Sequence, residues 1–341
     1  MTATRIVKKS PYRRRTLAQL RSYFPLLGSM RRRYRLPSDD DGQPYYIYYP
    51  GARNPNAPWR GIAFDSSGVV VACGAYHPVT IAQYALYSHE RQLRGVPNSA
   101  HAFFAQVKWL VDAQRHDGSY FYDFALPEYG IERGFVSAMA QGLAASALVR
   151  AYVLTGEDCY REAATRASEP LKLNASAGGA TFISEGRVFF EELASDQPCH
   201  ILNGHLFAAF GVWDLARLRL ADARLRSLHE RAIHTLVDWL PHFDGGDWSY
   251  YQLAVRNGGK RFYANIDYHQ LHIAQLHVYS AMTGIEAFER TAARWERGLR
   301  RLDARARFFR NSIAWLSHVV RRRLGIEQRM PWAPMQLPSP R

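Results

Sequence analysis

The sequence predicts a mainly α protein, an α/α toroid of repeated helical hairpins with a small β-hairpin and an irregular N-terminal arm. Three internal echoes carry that expectation. YHPVTIAQYALYS, from Tyr76 to Ser88, matches YHQLHIAQLHVYS, from Tyr268 to Ser280, at seven of thirteen positions and an offset of 192 residues. LTGEDCYREAATRASE, from Leu154, matches MTGIEAFERTAARWE, from Met282, at an offset of 128. The turn after Trp109, with Asp117, Gly118 and Tyr120, matches the turn after Trp239, with Asp244, Gly245 and Trp248, at 127 to 130. These offsets share a unit of about 64 residues, the length of two helices of about 20 residues with their connections.

Four units fit between Tyr76 and Arg323, with leading helices expected near Tyr76, Gly134, Asn203 and Tyr268. Ala138, Leu143, Leu148 and Tyr152 recur at helical spacing, as do Leu225, Leu228, Ile233 and Leu236. Gly156 and Gly284 stand where helix C-caps belong. An open helical array is the competing arrangement. A closed ring is preferred because the Asp-Gly turns with their aromatic residues are too elaborate for simple helix linkers. GATFISEGRVFFE, residues 179–191, reads as a β-hairpin turning at Glu185 and Gly186. The chain therefore divides into a basic segment 1–36, an arm 37–75 packed on the core, a toroidal domain 76–323 and a tail 324–341.

Charge is concentrated at the two ends. The net charge is +14, yet residues 1–36 hold 11 Lys or Arg without an acid. Residues 294–323 hold ten Arg against Glu296 and Asp303, and the tail adds +1, leaving −6 for residues 37–293. Basic ends of this kind meet a polyanion or an anionic membrane surface, or are simply solvated. The segment from Arg305 reads as a basic amphipathic helix, able to lie on anionic lipid or to close the domain as its last packed helix. No nucleic-acid partner is expected, and a homodimer is an open expectation. Cys73, Cys159 and Cys199 lie far apart and suit a reducing compartment. With no apolar run of spanning length or secretory signal, the expected location is the cytoplasm, with peripheral contact at the inner membrane face.

Three clusters carry candidate chemistry. They are Glu191 and Glu192 before ILNG at 201–204, WSYYQL with Trp248, Tyr250 and Tyr251, and Asp267, Tyr268, His269 and His272. Each falls at the start of a leading helix or in a turn beside one, so a ring would gather them at one mouth. The plainer readings are a solvated acidic pair and packing aromatics. His269 and His272, three residues apart, suit a shared metal, but no third ligand is apparent and none is expected. Asp267 is expected as the N-cap of its helix.

At these residues the sequence resembles the C-terminal catalytic domain of the D-glucuronyl C5-epimerases. The stretches that carry it are GFVSAMAQGLAASALVRAYVLTG from Gly134 to Gly156, FFEE followed by ILNG, WSYYQL, and DYHQLHIAQL. It covers about Tyr76 to Arg300, and the near-direct run of IAQYALYSHE into the Trp109 helix is the compact form expected of a bacterial relative. The resemblance implies inversion of C5 of a hexuronate, of the D-glucuronate to L-iduronate type, in an anionic polysaccharide or its precursor, with no cofactor. It assigns Tyr251 and Tyr268 as catalytic tyrosines and Glu192 as the catalytic glutamate. Glu191, Asn203, His269, Gln141, Trp248 and Tyr76 are expected to line the same site. Leu193 stands where the family motif EEYP has a tyrosine, and Gln252 and Ala254 replace the aspartate and arginine of YDLR. Arg256 or Arg261 is expected to bind the carboxylate in place of that arginine. A glycan-binding homologue and a uronate lyase on the same fold are the alternatives.

Overall fold

The computed structural model describes residues 34–47, 62–72, 74–254, 261 and 263–323. Nearly all of the expected basic N-terminal segment, Cys73, Arg256 and the tail 324–341 lie outside the described residues. Among those described, the chain is mainly helical. It runs β1 (Ile62–Phe64), β2 (Val70–Ala72), α1 (Pro78–Leu93), α2 (Ser99–Asp112), α3 (Ala138–Thr155) and α4 (Asp158–Ala167). It continues β3 (Thr181–Ser184), β4 (Arg187–Phe190), α5 (Leu202–Arg217), α6 (Ala223–Trp239), α7 (Ile266–Thr283), α8 (Glu286–Gly298) and α9 (Leu302–Arg323).

The helices pair in chain order, α1 with α2, α3 with α4, α5 with α6 and α7 with α8. The leading members α1, α3, α5 and α7 then pack side by side in the same order. The tightest seam joins α3 to α5, because both helices present glycine there. A methyl group on Gly142 would stand 2.5 Å from Ala208 Cα and 2.7 Å from Phe207 O, and one on Gly211 would collide with Gly142 O. Helix α3 is buried from Ala138 to Ala151 without a polar face. Its polar members Gln141 and Arg150 find their partners inside the protein.

Several local signals act as the sequence predicts. Gly156 and Gly284 end α3 and α7 in the left-handed region, at φ 74° and 72°. Glu185 and Gly186 both take positive φ, the two-residue turn whose twist suits a tight hairpin, and β3 pairs antiparallel with β4. One expectation is corrected. Asn265, not Asp267, caps α7, its side chain accepting from Tyr268 N at 2.9 Å. Asp267 sits inside the first turn, where its charge favours the positive end of the helix.

The arm is fixed by a buried charge pair. Tyr45, Tyr46 and Ile47 are buried. Tyr46 donates its hydroxyl to Asp214 Oδ1 at 2.5 Å, and Arg150 of α3 donates to Asp214 Oδ2 at 2.8 Å. The Arg150 guanidinium also lies 5.2 Å and 5.5 Å from the ring centres of Tyr45 and Tyr46. Tyr34 stacks on His277 of α7 at 4.9 Å. No helix among the described residues is long and apolar enough to cross a membrane.

Candidate active site

Helix N-termini converge on one cavity of ≈ 250 Å³. Helix α1 and its cap contribute His77, Val79, Thr80 and Gln83, and the start of α3 contributes Ser137 and Met139. Asn203 and Phe207 come from α5, Tyr268 and Leu271 from α7, and Glu192 and Leu193 from the segment leaving β4. The loop before α3 closes the wall with Tyr122, Phe124, Leu126 and Phe135, and Ile62 and Ala72 approach from the arm. The volume is at the small end for ligand sites and suits one sugar ring.

Glu192 is the one acid in this wall among the described residues. Its Oε2 accepts from Asn203 Nδ2 at 3.1 Å, and the Tyr251 hydroxyl also donates to its carboxylate. Removal from water dominates its ionisation and raises its pKa to about 7. The Glu191 charge adds to the rise, while the bonds from Asn203 and Tyr251 oppose it. Such a carboxylate is a base poised at neutral pH. Tyr251 meets Tyr268 edge to face, with ring centres 4.8 Å apart, so the three residues form one contiguous set. Tyr268 is 38% exposed and reaches the cavity directly, whereas Tyr251 stands behind it, against Glu192.

Among the described residues, the others expected at the site are not brought to the cavity lining. Glu191 is fully buried, with Oε2 accepting from His200 N at 3.1 Å and Oε1 2.5 Å from His200 Nδ1. This holds His200 at φ 52°, a conformation that costs a non-glycine residue energy. Gln141 is a structural pin, accepting from Tyr120 N and donating to Gly118 O and Ala167 O. Trp248 stacks between His269 and Phe308 and donates to Ala264 O. His269 lies beneath it, its Nδ1 accepting from Ser249 N, and burial drives its pKa well below the usual value. His272 meets the same Ser249 Oγ at 2.8 Å, and no set of three metal-ligating side chains is gathered among the described residues. Arg261 donates to His242 O and covers the Tyr250 ring at 3.8 Å. Tyr76 faces outward, stacked on Trp109 and donating to Asp65.

The echo between the Tyr76 and Tyr268 segments explains part of this outcome. Pro78 has no N–H to give and sets the first turn of α1, so His77 becomes the cap and Tyr76 falls outside the helix. Asn265 starts α7 three residues before Tyr268, which carries the tyrosine into the helix. Equivalent positions in the two repeats therefore face different surroundings. His77 enters the cavity while its echo His269 is buried, and Tyr268 enters while Tyr76 leaves. The sequence reading missed His77 and the aromatic wall from Tyr122 to Phe135. The signal for His77 was the residue before proline at a helix start; the wall had none, because its loop has no period.

Residues 114–297 match the family described as D-glucuronyl C5-epimerase C-terminus. A protein of Caenorhabditis elegans named D-glucuronyl C5-epimerase is 28% identical over 289 residues, covering 75% of this chain and 47% of that protein. An uncharacterized protein of Methanocaldococcus jannaschii is 29% identical over 178 residues, covering 51% of this chain and 56% of that protein. The chain spans about half the length of these curated relatives.

Proposed function

Since this chain belongs to the D-glucuronyl C5-epimerase C-terminal family, we propose that it inverts C5 of a hexuronate, of the D-glucuronate to L-iduronate type, within an anionic polysaccharide or its precursor. The observation that carries this reading is the set Glu192, Tyr251 and Tyr268 at one sugar-sized cavity. We take the helix pairs to close into a toroid around it. Support comes from the first and last leading helices, since Thr80 of α1 and Leu271 of α7 line the same cavity.

The chemistry follows from the weak acidity of the C5 proton, which lies α to a carboxylate. In this proposal Glu192 removes it from one face, and the C–H electron pair moves onto the substrate carboxylate as an enolate. Tyr268 then gives its phenolic proton to C5 from the other face, forming the inverted centre. Tyr251 steadies the Glu192 carboxylate through its hydroxyl. Glu192 is left protonated and Tyr268 ionised, and exchange with water resets both. No electron leaves the substrate, so the step is balanced without a redox partner.

Two-face exchange with solvent is the test. Incubation in D2O with glucuronate-containing oligosaccharides should place deuterium at C5 and yield iduronate; no incorporation across glucuronate and galacturonate substrates rejects the proposal. Leu193, buried in the wall where the family motif carries tyrosine, favours a second reading as a glycan-binding homologue. Oligosaccharide binding without exchange identifies that case, and absorbance of an unsaturated uronate identifies a lyase.

The basic ends fit peripheral contact with anionic lipid in this proposal. Helix α9 leaves Phe309 and Ile313 exposed one turn apart, beside Arg310. Apolar side chains in that position suit a lipid surface better than a charged glycan. Co-sedimentation with phosphatidylglycerol vesicles that weakens with salt would support it; equal recovery with neutral vesicles would not.

A further inference from the structure

We propose that His77 is the electrophilic group of this cavity, donating its Nε2–H to the substrate carboxylate as charge builds there during removal of the C5 proton. The proposal rests on the epimerase reading and asks which group bears the charge that reaction creates. His77 lines the same cavity as Glu192 and Tyr268. The lining holds no Lys or Arg among the described residues. Ala254 stands where the family motif has an arginine, and Arg261 is committed to Tyr250 and His242.

The surroundings of the ring fix which proton it offers. Thr80 N–H can only donate, and it points at His77 Nδ1 at 3.4 Å, with Thr80 Oγ1 at 3.2 Å from the same atom. Nδ1 therefore accepts, and the neutral imidazole carries its proton on Nε2. A proton on Nδ1 would set two donors against each other and uncap α1. The ring plane is held edge-on to Tyr122 at 4.9 Å and stacked on Phe124 at 5.8 Å. His77 also stands at the positive end of a 16-residue helix, which favours an anion beside it. A preset neutral donor of this kind stabilises an enolate without reorganising at the moment of reaction.

The test separates the two nitrogens. His77→Asn keeps an oxygen near the Nδ1 position, so α1 stays capped, but loses the distal donor. His77→Gln reaches the Nε2 position with an N–H. C5 deuterium exchange in D2O with glucuronate oligosaccharides should fall about 100-fold or more in kcat for His77→Asn, with KM nearly unchanged. His77→Gln should recover a substantial part. Should His77→Asn unfold, His77→Ser, another good cap, carries the same expectation.

Equal rates for His77→Asn and wild type overturn the proposal, as does a rise in KM alone. A comparable loss in Arg256→Gln, with His77→Asn at the wild-type rate, assigns the carboxylate to Arg256 and overturns it too. A wild-type protein that exchanges nothing rejects the epimerase reading itself, an outcome distinct from wild-type exchange that ignores His77.

Discussion

The Glu192 side chain lies directly against Gly204, so closely that a methyl group there would stand 2.5 Å from the carboxylate oxygen Oε2. The glycine of ILNG is thus a space left in the first turn of α5 for the proposed base. Gly204→Ala must push Glu192 off its bonds with Asn203 and Tyr251. Overpacking of this kind costs about 1–3 kcal/mol. We expect C5 exchange to fall by at least tenfold while the protein still folds, measured as rate and thermal unfolding on the same sample.

Glu192 also makes stability depend on pH, with a sign that can be worked out. Its folded pKa, about 7, lies above its unfolded value of 4.5. Below 4.5 both states are protonated and the buried acid costs nothing extra. Between 4.5 and 7 the unfolded state ionises first, and above 7 the folded protein holds a desolvated charge. Glu192→Gln should therefore be neutral at pH 4 and stabilise by about 2 kcal/mol at pH 8, less than the full shift because the residue keeps some exposure to solvent. Urea unfolding at the two pH values checks it. Wild-type kcat/KM should rise with pH and level off above about 7, as ionisation of this base requires.

The Arg150–Asp214–Tyr46 cluster gives a prediction away from the cavity. Both charged groups are at most 4% exposed, so removing one strands the other in a dry interior. Asp214→Ala should cost about 3–5 kcal/mol and free the arm. The double replacement Arg150→Met with Asp214→Leu should cost clearly less, because it leaves no orphaned charge. Denaturant midpoints of the two variants decide between a charge effect and simple loss of packing.

The fold was legible where a local rule acts alone. Gly156 and Gly284 end helices because glycine takes positive φ without strain, and Glu185-Gly186 makes a hairpin for the same reason. Glu192, Tyr251 and Tyr268 were legible as a set through resemblance, and the structure brings them into contact. Glu191 was not legible as a brace for His200, since neighbouring acids look alike in sequence and differ only in what they face. The expected roles of His269 and Tyr76 depended on register. The start of α1 at Pro78 and of α7 at Ile266 shifts equivalent residues of the echo by several positions, and repeat matching cannot see that shift. Helix-start chemistry decides it, and that chemistry also exposed His77.

The two tyrosines can be told apart by the same substitution. Tyr251 and Tyr268 touch edge to face, and phenylalanine preserves that ring contact at either position, so loss of packing is held constant. What changes is one hydroxyl. At position 268 the hydroxyl belongs to the residue that reaches the cavity, and in the proposed step it supplies the proton delivered to C5. Tyr268→Phe should abolish conversion to iduronate. It should still allow deuterium into the glucuronate C5 through Glu192 on its own face, because that face needs no phenol. At position 251 the hydroxyl donates to Glu192 and favours its ionised form. Tyr251→Phe should keep both products, slow them about tenfold, and move the alkaline rise in kcat/KM to higher pH. NMR of C5 in D2O, resolving glucuronate from iduronate, reads both outcomes in one experiment. Equal loss of exchange in the two variants, with no shift in pH profile for Tyr251→Phe, would mean the phenols act as one unit and would remove the division of roles argued here.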